Sequence, residues 1–364
     1  TGLTSGVTYY VRAYATNSLG TKYGSEISFN TSQAVATLAA TTTVSSIGSA
    51  SAVSGGNITY NGGAAVTVSG IVWSTTSTPT IALSTKTTNG AASGTYTSNI
   101  TGLTPGTLYY VRSYATNSVG TSYGAQASFT TLNTPTISAT ASATSITSST
   151  ATIGGTITSD GGAAITSRGV VYGTSSGSAT YSATSGTGTG TYTISLTGLT
   201  PATTYFARSF ASNSVGTVYG TETNFTTIAV EPTVSATAVA ASITGSSATS
   251  GGTISSNGGA TVTVSGVVWS TTSTPTIALA TKTTNGAATG TYTSSLTGLA
   301  PATLYYVRAY ATNSIGTAYG PQSNFTTLAI APTISATASA TSITSSTATI
   351  GGTITTDGGA AVTS

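Results

Sequence analysis

Apolar and polar positions alternate along many short segments of the chain. In residues 107–117 one face carries Tyr109, Val111, Ser113 and Ala115, and the other carries Tyr110, Arg112, Tyr114 and Thr116. Such alternation predicts a β-strand with one buried face. Further strands are predicted near 41–46, 51–60, 65–74, 95–101 and 121–131. Turn signals at 61–63, 88–90 and 117–120 separate these strands, and no helical period is present.

One long segment recurs along the chain. The sequence GLTPGTLYYVRSYATNSVGTSYG at 102–124 has close copies that start at Gly2, Gly198 and Gly298, in steps of 100, 96 and 100 residues. A repeat of this length is a whole domain, because the coils of a solenoid span only about 20–50 residues. About seven short strands per repeat predict an antiparallel sandwich of two sheets. The predicted fold class is therefore all-β, a tandem array of antiparallel β-sandwich domains that forms an extended rod.

The repeats alternate between two types. Residues 66–131 and 262–327 are identical at 53 of 66 positions and define type A. Residues 136–167 and 333–364 match at 30 of 32 positions and define type B. The predicted segments are 1–31 (the last strands of a truncated repeat), 32–131 (type A), 132–227 (type B), 228–327 (type A) and 328–364 (the first strands of a truncated type B repeat). The two partial ends predict a parent molecule that continues in both directions.

The borders between the repeats are short and partly apolar. Pro135, Pro232 and Pro332 each open a repeat a few residues after the last strand of the preceding one. Such borders differ from flexible Gly/Ser tethers, so we expect restricted hinges. The first border, at 32–40, lacks the proline, and more bending is expected there.

Composition excludes most kinds of chemistry. Only 13 of the 364 residues are charged, and Cys, His and Met are absent. This leaves no disulfide, thiol nucleophile, imidazole base or HExxH site, and five acids are too few for a series of calcium sites. We therefore expect no catalytic residue, no metal ligand and no cofactor. Eight basic residues make no basic stripe for nucleic acid, and no apolar run approaches the roughly 18–20 residues needed for membrane insertion.

The strand at 107–117 and its flanking turns resemble the E–F corner of fibronectin type III domains. The matching residues are Leu103, Pro105, Thr107, Tyr109, Val111, Ala115, Asn117 and Gly120. The resemblance implies a fibronectin type III-like or immunoglobulin-like sandwich. It also implies that Tyr109 is a tyrosine corner, with a buried ring and a hydroxyl bonded to nearby backbone. Tyr9, Tyr205 and Tyr305 match Tyr109 in the other copies.

The repeated motif is also similar to repeats of very large cell-surface proteins of Bacteroidota, including adhesins of the SprB gliding type. This resemblance covers the whole chain, because the whole chain consists of repeats. It implies a segment of a longer exported protein that lies outside the cell, at the cell surface. The 87 Thr and 56 Ser suit this setting, since Thr favours strands and its hydroxyl is compatible with water.

Two sets of residues are candidates for ligand contact. The first, here called the aromatic–Arg stripe, is expected on the outward strand faces and comprises Tyr10, Arg12, Tyr14, Tyr110, Arg112, Tyr114, Phe206, Arg208, Phe210, Tyr306, Arg308 and Tyr310. Aromatic planes and arginine suit sugars and carboxylates, whereas the preferred structural interpretation is cross-strand pairing with cation–π contacts to neighbours such as Tyr123. The second set is Trp73 and Trp269, which are either ligand anchors or packing residues.

A few further polar residues receive structural interpretations. Asp160 and Asp357 precede glycine in turn sequences and are expected to form those turns. Lys86 and Lys282 are expected to be solvated.

These observations leave two functions open. The leading hypothesis is a non-enzymatic stalk or spacer of a giant bacterial surface adhesin, for gliding motility or surface attachment. The alternative is a multivalent carbohydrate- or matrix-binding array, in which weak sites on the stripes are multiplied by avidity. The expected partners are neighbouring repeats of the same chain, together with surface glycans or abiotic surfaces, and nucleic acid is not among them.

Overall fold

All regular structure in the described part of the chain is β. The computed structural model describes residues 1–287 and 289–363, and within these ranges the chain forms strands, bridges and turns. Every strand pair is antiparallel in the described residues. No helix in this part of the chain has the length and apolar character needed to cross a bilayer.

The strands follow the repeats closely. Residues 1–31 contain β1 (Thr8–Val11), β2 (Tyr14–Asn17), β3 (Gly20–Tyr23) and β4 (Ile27–Asn30). The first type A repeat contains β5 (Thr37–Leu38), β6 (Ser51–Tyr60), β7 (Val68–Ser74), β8 (Gly94–Thr101), β9 (Leu108–Thr116), β10 (Thr121–Tyr123) and β11 (Ala127–Thr130). The type B repeat contains β12 (Thr136–Thr140), β13 (Thr150–Ser159), β14 (Ser167–Gly173), β15 (Tyr181–Thr184), β16 (Gly190–Thr197), β17 (Thr204–Ser212), β18 (Thr217–Tyr219) and β19 (Thr223–Thr226). The second type A repeat contains β20 (Thr233–Thr237), β21 (Ser247–Ser256), β22 (Val264–Ser270), β23 (Gly290–Thr297), β24 (Leu304–Thr312), β25 (Thr317–Tyr319) and β26 (Ser323–Thr326), and the last residues contain β27 (Thr333–Thr337) and β28 (Gly352–Thr356).

Each complete repeat is a sandwich of two sheets. In the first type A repeat β5, β6 and β8 form one sheet, and β9 pairs with β7, β10 and β11 in the other. The second type A repeat has the same order, and type B adds β15 at the free edge of β14. The predicted all-β class of tandem antiparallel sandwiches is confirmed. Their strand order is that of fibronectin type III-like or immunoglobulin-like domains.

Two predicted strands are interrupted. The strand expected at 41–46 is reduced to a single bridge between Ser45 and Val53. Thr41 is buried there, and its hydroxyl accepts a hydrogen bond from the Ser113 amide (2.9 Å) of the opposite sheet. The strand expected at 121–131 is divided into β10 and β11, with the Gly124 carbonyl between them accepting a bond from Arg112 Nε (3.3 Å).

Each complete repeat buries its own apolar core. The first type A core contains residues from Ala36 to Phe129, and the type B core contains residues from Ala151 to Phe225. Two adjoining clusters fill the second type A repeat. No residue belongs to the cores of two repeats among these clusters, so each sandwich is closed by its own side chains.

A second tyrosine joins the two sheets of each sandwich. The hydroxyl of Tyr96 on β8 crosses the core and donates toward the carbonyls of Gly70 (3.0 Å) and Tyr114 (3.1 Å) in the opposite sheet. Tyr192 and Tyr292 make the same contacts in their repeats. Gly56 leaves the necessary space, because a Cβ there would lie 2.6 Å from the Tyr96 hydroxyl oxygen. Sequence analysis missed these tyrosines, although GTYT recurs at 94–97, 190–193 and 290–293.

Burial gives the cross-sheet tyrosines a testable pH signature. Desolvation by burial raises the pKa of Tyr96 to about 12. Because the proton is held more tightly in the folded state, the stabilisation is complete below about pH 10 and is lost as the pH rises toward about 12. We expect Tyr96→Phe to cost about 1–2 kcal/mol near pH 7 through the lost hydrogen bond. Melting temperatures at pH 7 and pH 11.5 should show that the difference from wild type shrinks at high pH; a constant difference would contradict this account.

Candidate ligand face

The aromatic–Arg stripe lies on the central strand of the larger sheet, on the face away from the core. In each complete repeat the guanidinium lies over a tyrosine of the next strand. The Cζ atoms of Arg112, Arg208 and Arg308 are 4.4, 5.1 and 4.5 Å from the ring centroids of Tyr123, Tyr219 and Tyr319. The Nε atom of each arginine also donates to a main-chain carbonyl, that of Gly124, Gly220 or Gly320. Each arginine therefore stabilises the interruption between the last two strands of its repeat, which in the first type A repeat are β10 and β11.

The last aromatic of the stripe differs from the outward exposure that the alternation predicted. Tyr114 and Tyr310 are each only 2% exposed. The Tyr114 hydroxyl donates to the Thr87 carbonyl (2.7 Å), and its ring lies against Gly70 on the neighbouring strand. The physical reason is that residues near 86–90 run along the free edge of β7 and cover the ring. In type B, Phe210 is half-buried against Gly169 in the same way.

The first aromatic of the stripe is half-buried in each complete repeat. Tyr110, Phe206 and Tyr306 lie on β9, β17 and β24 between two neighbouring strands. In residues 1–31 the corresponding Tyr10 and the later Tyr14 are 68% and 71% exposed. Here Arg12 forms an ion pair with Glu26 at 3.3 Å, between two half-exposed side chains.

The two tryptophans are core residues. Trp73 and Trp269 are 8% and 7% exposed and belong to the apolar clusters of their repeats. Each pairs across the sheet with a fully buried valine, Val111 or Val307. Their placement favours packing over direct ligand contact.

The four corner tyrosines share one geometry. Each hydroxyl accepts a hydrogen bond from the main-chain amide five residues earlier, with distances of 2.7 Å for Tyr9 and 3.0 Å for Tyr109, Tyr205 and Tyr305. Each ring also packs against a phenylalanine of the last strand, as Tyr109 does with Phe129 at 5.9 Å between centroids. These contacts fix the approach to the strand that carries the stripe.

Other polar residues take roles within loops. Asp160 and Asp357 accept hydrogen bonds from the amides of Gly162 and Gly359, as expected of turn formers. Lys86 was expected to be solvated; it is exposed, but its Nζ donates to the carbonyls of Ile81 and Leu83 (both 2.8 Å). Lys282 caps the equivalent carbonyls in the second type A repeat.

Type B contains an arginine that sequence analysis did not single out. Arg168 lies 5.0 Å from the ring centroid of Tyr192, and its Nη1 donates to the carbonyls of Gly188 and Thr189. Type A has Ser69 and Ser265 at this position on the paired strand. The difference between Arg168 in type B and serine in type A is the sequence feature that could have identified this arginine.

Comparison with known proteins assigns the chain to no family. No family model matches the chain, and no curated protein matches it. Solved structures do match, among them the crystal structure of chicken CNTN1 FN1–FN3 domains. That match is 16% identical, covers 80% of this chain and 98% of the other, and has a TM-score of 0.29. The fold assignment therefore rests on the strand pairing described above.

The stacked arginine can be tested as a stabilising element. We expect Arg308→Ala to lower the free energy of unfolding by about 1–2 kcal/mol, because it removes the contact with Tyr319 and the bond to Gly320. A double-mutant cycle with Tyr319→Leu, followed by calorimetry, should give a coupling energy of about 0.5–1 kcal/mol. Additive effects of the two substitutions would show that the stacking contributes nothing.

Proposed function

We propose that this chain is a non-enzymatic structural spacer, a segment of the stalk of a large bacterial cell-surface adhesin that serves gliding motility or surface attachment. In this function the segments 1–31, 32–131, 132–227, 228–327 and 328–364 are successive units of one extended row outside the cell. Their main partners are the neighbouring repeats. The observation that carries the proposal is that related contacts recur from one border between repeats to the next.

An asparagine of each complete repeat holds the border that precedes it. The Asn313 Nδ2 donates to the carbonyls of Val230 in the border (2.8 Å) and of Asn257 in a turn of the same repeat (2.9 Å). Its Oδ1 accepts from the amides of Ile315 and Gly316, which fixes the side chain. Asn117 and Asn213 make the equivalent bonds at their borders. One side-chain amide thus bonds the border segment to the repeat that follows it.

At three of the four borders a glycine turn of the following repeat also touches the preceding repeat. A Cβ built on Gly259 would overlap the side chain of Ala202 at the tyrosine corner of the preceding repeat, and Gly359 meets Ala302 in the same way. At the first border Gly63 lies against Gly6. All three turn glycines have φ between 78° and 83°, a conformation that suits glycine. Because the two repeats lie in close contact at these turns, the border between them has little room to bend.

The border residues are bonded on both sides. The amide of Leu132 donates to the Gly48 carbonyl of the preceding repeat (3.0 Å), and the next amide, Asn133, donates to Gly161 of the following one (2.8 Å). Ile228 and Val230 repeat this pattern at the next border. The first border lacks the proline, yet Ala34 bonds to Gly62, and the Tyr60 hydroxyl donates to the Ser5 carbonyl. These bonds support stiff hinges at each border, including the first.

The shape of the intact chain in solution tests the proposal. A compact globule of 364 residues would have a radius of gyration of roughly 21 Å. Domains that each advance the row by about 35–45 Å predict a value nearly twice as large. Small-angle X-ray scattering at low and high salt should give this larger value at both, because the borders are held by neutral groups. A radius near that of a globule would contradict the spacer function.

An isosteric substitution tests the border itself. Asn313→Asp keeps the oxygen that accepts from Ile315 and Gly316 but replaces the donor to Val230 with a second acceptor. We expect it to loosen one border, giving a smaller mean radius of gyration and a broader distance distribution. The matched control is Asn285→Asp, since Asn285 bonds only within its repeat, to Thr293 and Ser294. Equal changes in both variants would indicate general destabilisation and argue against the border contact.

A further inference from the structure

We propose that the type B repeat carries a saccharide site that type A lacks. The site is a groove lined by Phe206, Arg208, Tyr219 and Glu222, with Gly177 and Ser178 on its rim, and its volume is about 200 Å³. The ligand class is one neutral hexopyranose ring. This inference does not depend on the spacer function, because it rests on one loop of one repeat.

The groove is open in type B because the loop beside it is short. In type A the connection after β7 extends from Trp73 to Thr85 before it pairs again with that strand. In type B the connection is shorter, because the Thr180 amide already bonds to the Tyr172 carbonyl of β14. The longer type A loop brings the Ile81 amide onto the Tyr123 hydroxyl (3.0 Å), and Ile277 covers Tyr319 in the same manner. Tyr219 has no such cover and is 49% exposed.

The same short loop draws the acidic side chain away from the arginine. In residues 1–31, where no such loop is present, Glu26 pairs with Arg12 at 3.3 Å. The equivalent Glu222 instead accepts bonds from the Ser176 hydroxyl (2.6 Å) and the Gly177 amide (2.8 Å). No carboxylate lies within 4 Å of Arg208 in the described part of the chain. Its Nε is used by Gly220, so the two terminal nitrogens remain available to the groove.

These groups match the surface of a sugar ring. The rings of Phe206 and Tyr219 line the groove, and aromatic rings attract the polarised C–H groups of a pyranose. Arginine offers a planar fork of donors that suits two adjacent hydroxyls, and Glu222 offers acceptors. One positive and one negative group face the same groove, so an anionic sugar gains at Arg208 and loses at Glu222. The volume lies below the roughly 300–1,000 Å³ of sites for larger ligands, which limits the occupant to about one ring.

The site can be tested with the whole chain and simple sugars. Saturation-transfer NMR with the methyl glycosides of glucose, galactose and mannose should detect saturable binding of at least one, with a dissociation constant of about 1–10 mM. Titration should give one site per chain. Glucuronate should bind no more tightly than the neutral glucoside; tighter binding of the uronate would overturn the assignment to a neutral sugar. Absence of saturable binding by every probe would overturn the site.

Matched substitutions locate the binding. Tyr219→Ala should weaken it at least about tenfold, because the stacking surface is lost. Tyr319→Ala makes the same change in type A, where the loop covers the ring, and should leave the affinity within about twofold. Glu222→Gln installs the residue that type A has at this position and should weaken binding several-fold without unfolding the repeat. Loss of binding in Tyr319→Ala, or full binding in both type B variants, would contradict the proposal.

Discussion

Neutral side chains bonded to main-chain groups hold this protein together. Tyr96 joins the two sheets through carbonyls of the opposite sheet, and Tyr109 fixes the corner through the Thr104 amide. Thr41 reaches across to Ser113, and Thr131 bonds the carbonyl of Thr104. In the described residues every buried side-chain nitrogen or oxygen has a hydrogen-bond partner. A chain with so few charges meets the cost of burying polar groups in this way, which makes its stability largely independent of salt.

The borders between repeats use the same chemistry as the interiors. Main-chain bonds form each border, together with an asparagine amide where the following repeat is complete and a close glycine contact at three of the four borders. No border requires an ion pair within the described residues, and the one ion pair there lies inside residues 1–31. Flexibility is therefore set by local backbone geometry, and a repeat can be added or removed without changing the border design. That property is compatible with the proposed spacer function.

The sequence predicts the structure well where burial follows a regular period along the chain. Period-two alternation located β6, β9 and their equivalents, and the long repeat predicted separate sandwiches. The exposure of Tyr114 was predicted incorrectly because alternation assigns a face but does not show what covers that face. The cover comes from residues 86–90, an irregular edge with only two bridges to β7. For Asn117 the pattern predicts only the turn at 117–120, since its bond to Ala34 crosses 83 residues and leaves no local pattern.

The two repeat types place the same stripe in different surroundings. In type A, Arg308 and Tyr319 lie beneath a loop whose carbonyls are capped by Lys282, so the stripe stiffens the sheet. In type B the same pair, Arg208 and Tyr219, braces the same broken strand, yet a shorter loop leaves its outer surface open. Structural and ligand-binding interpretations of the stripe are therefore compatible, because the loop determines exposure while the stacked pair supplies rigidity. Alternating the types places open faces two repeats apart, so neighbouring sites on a long array would not crowd each other.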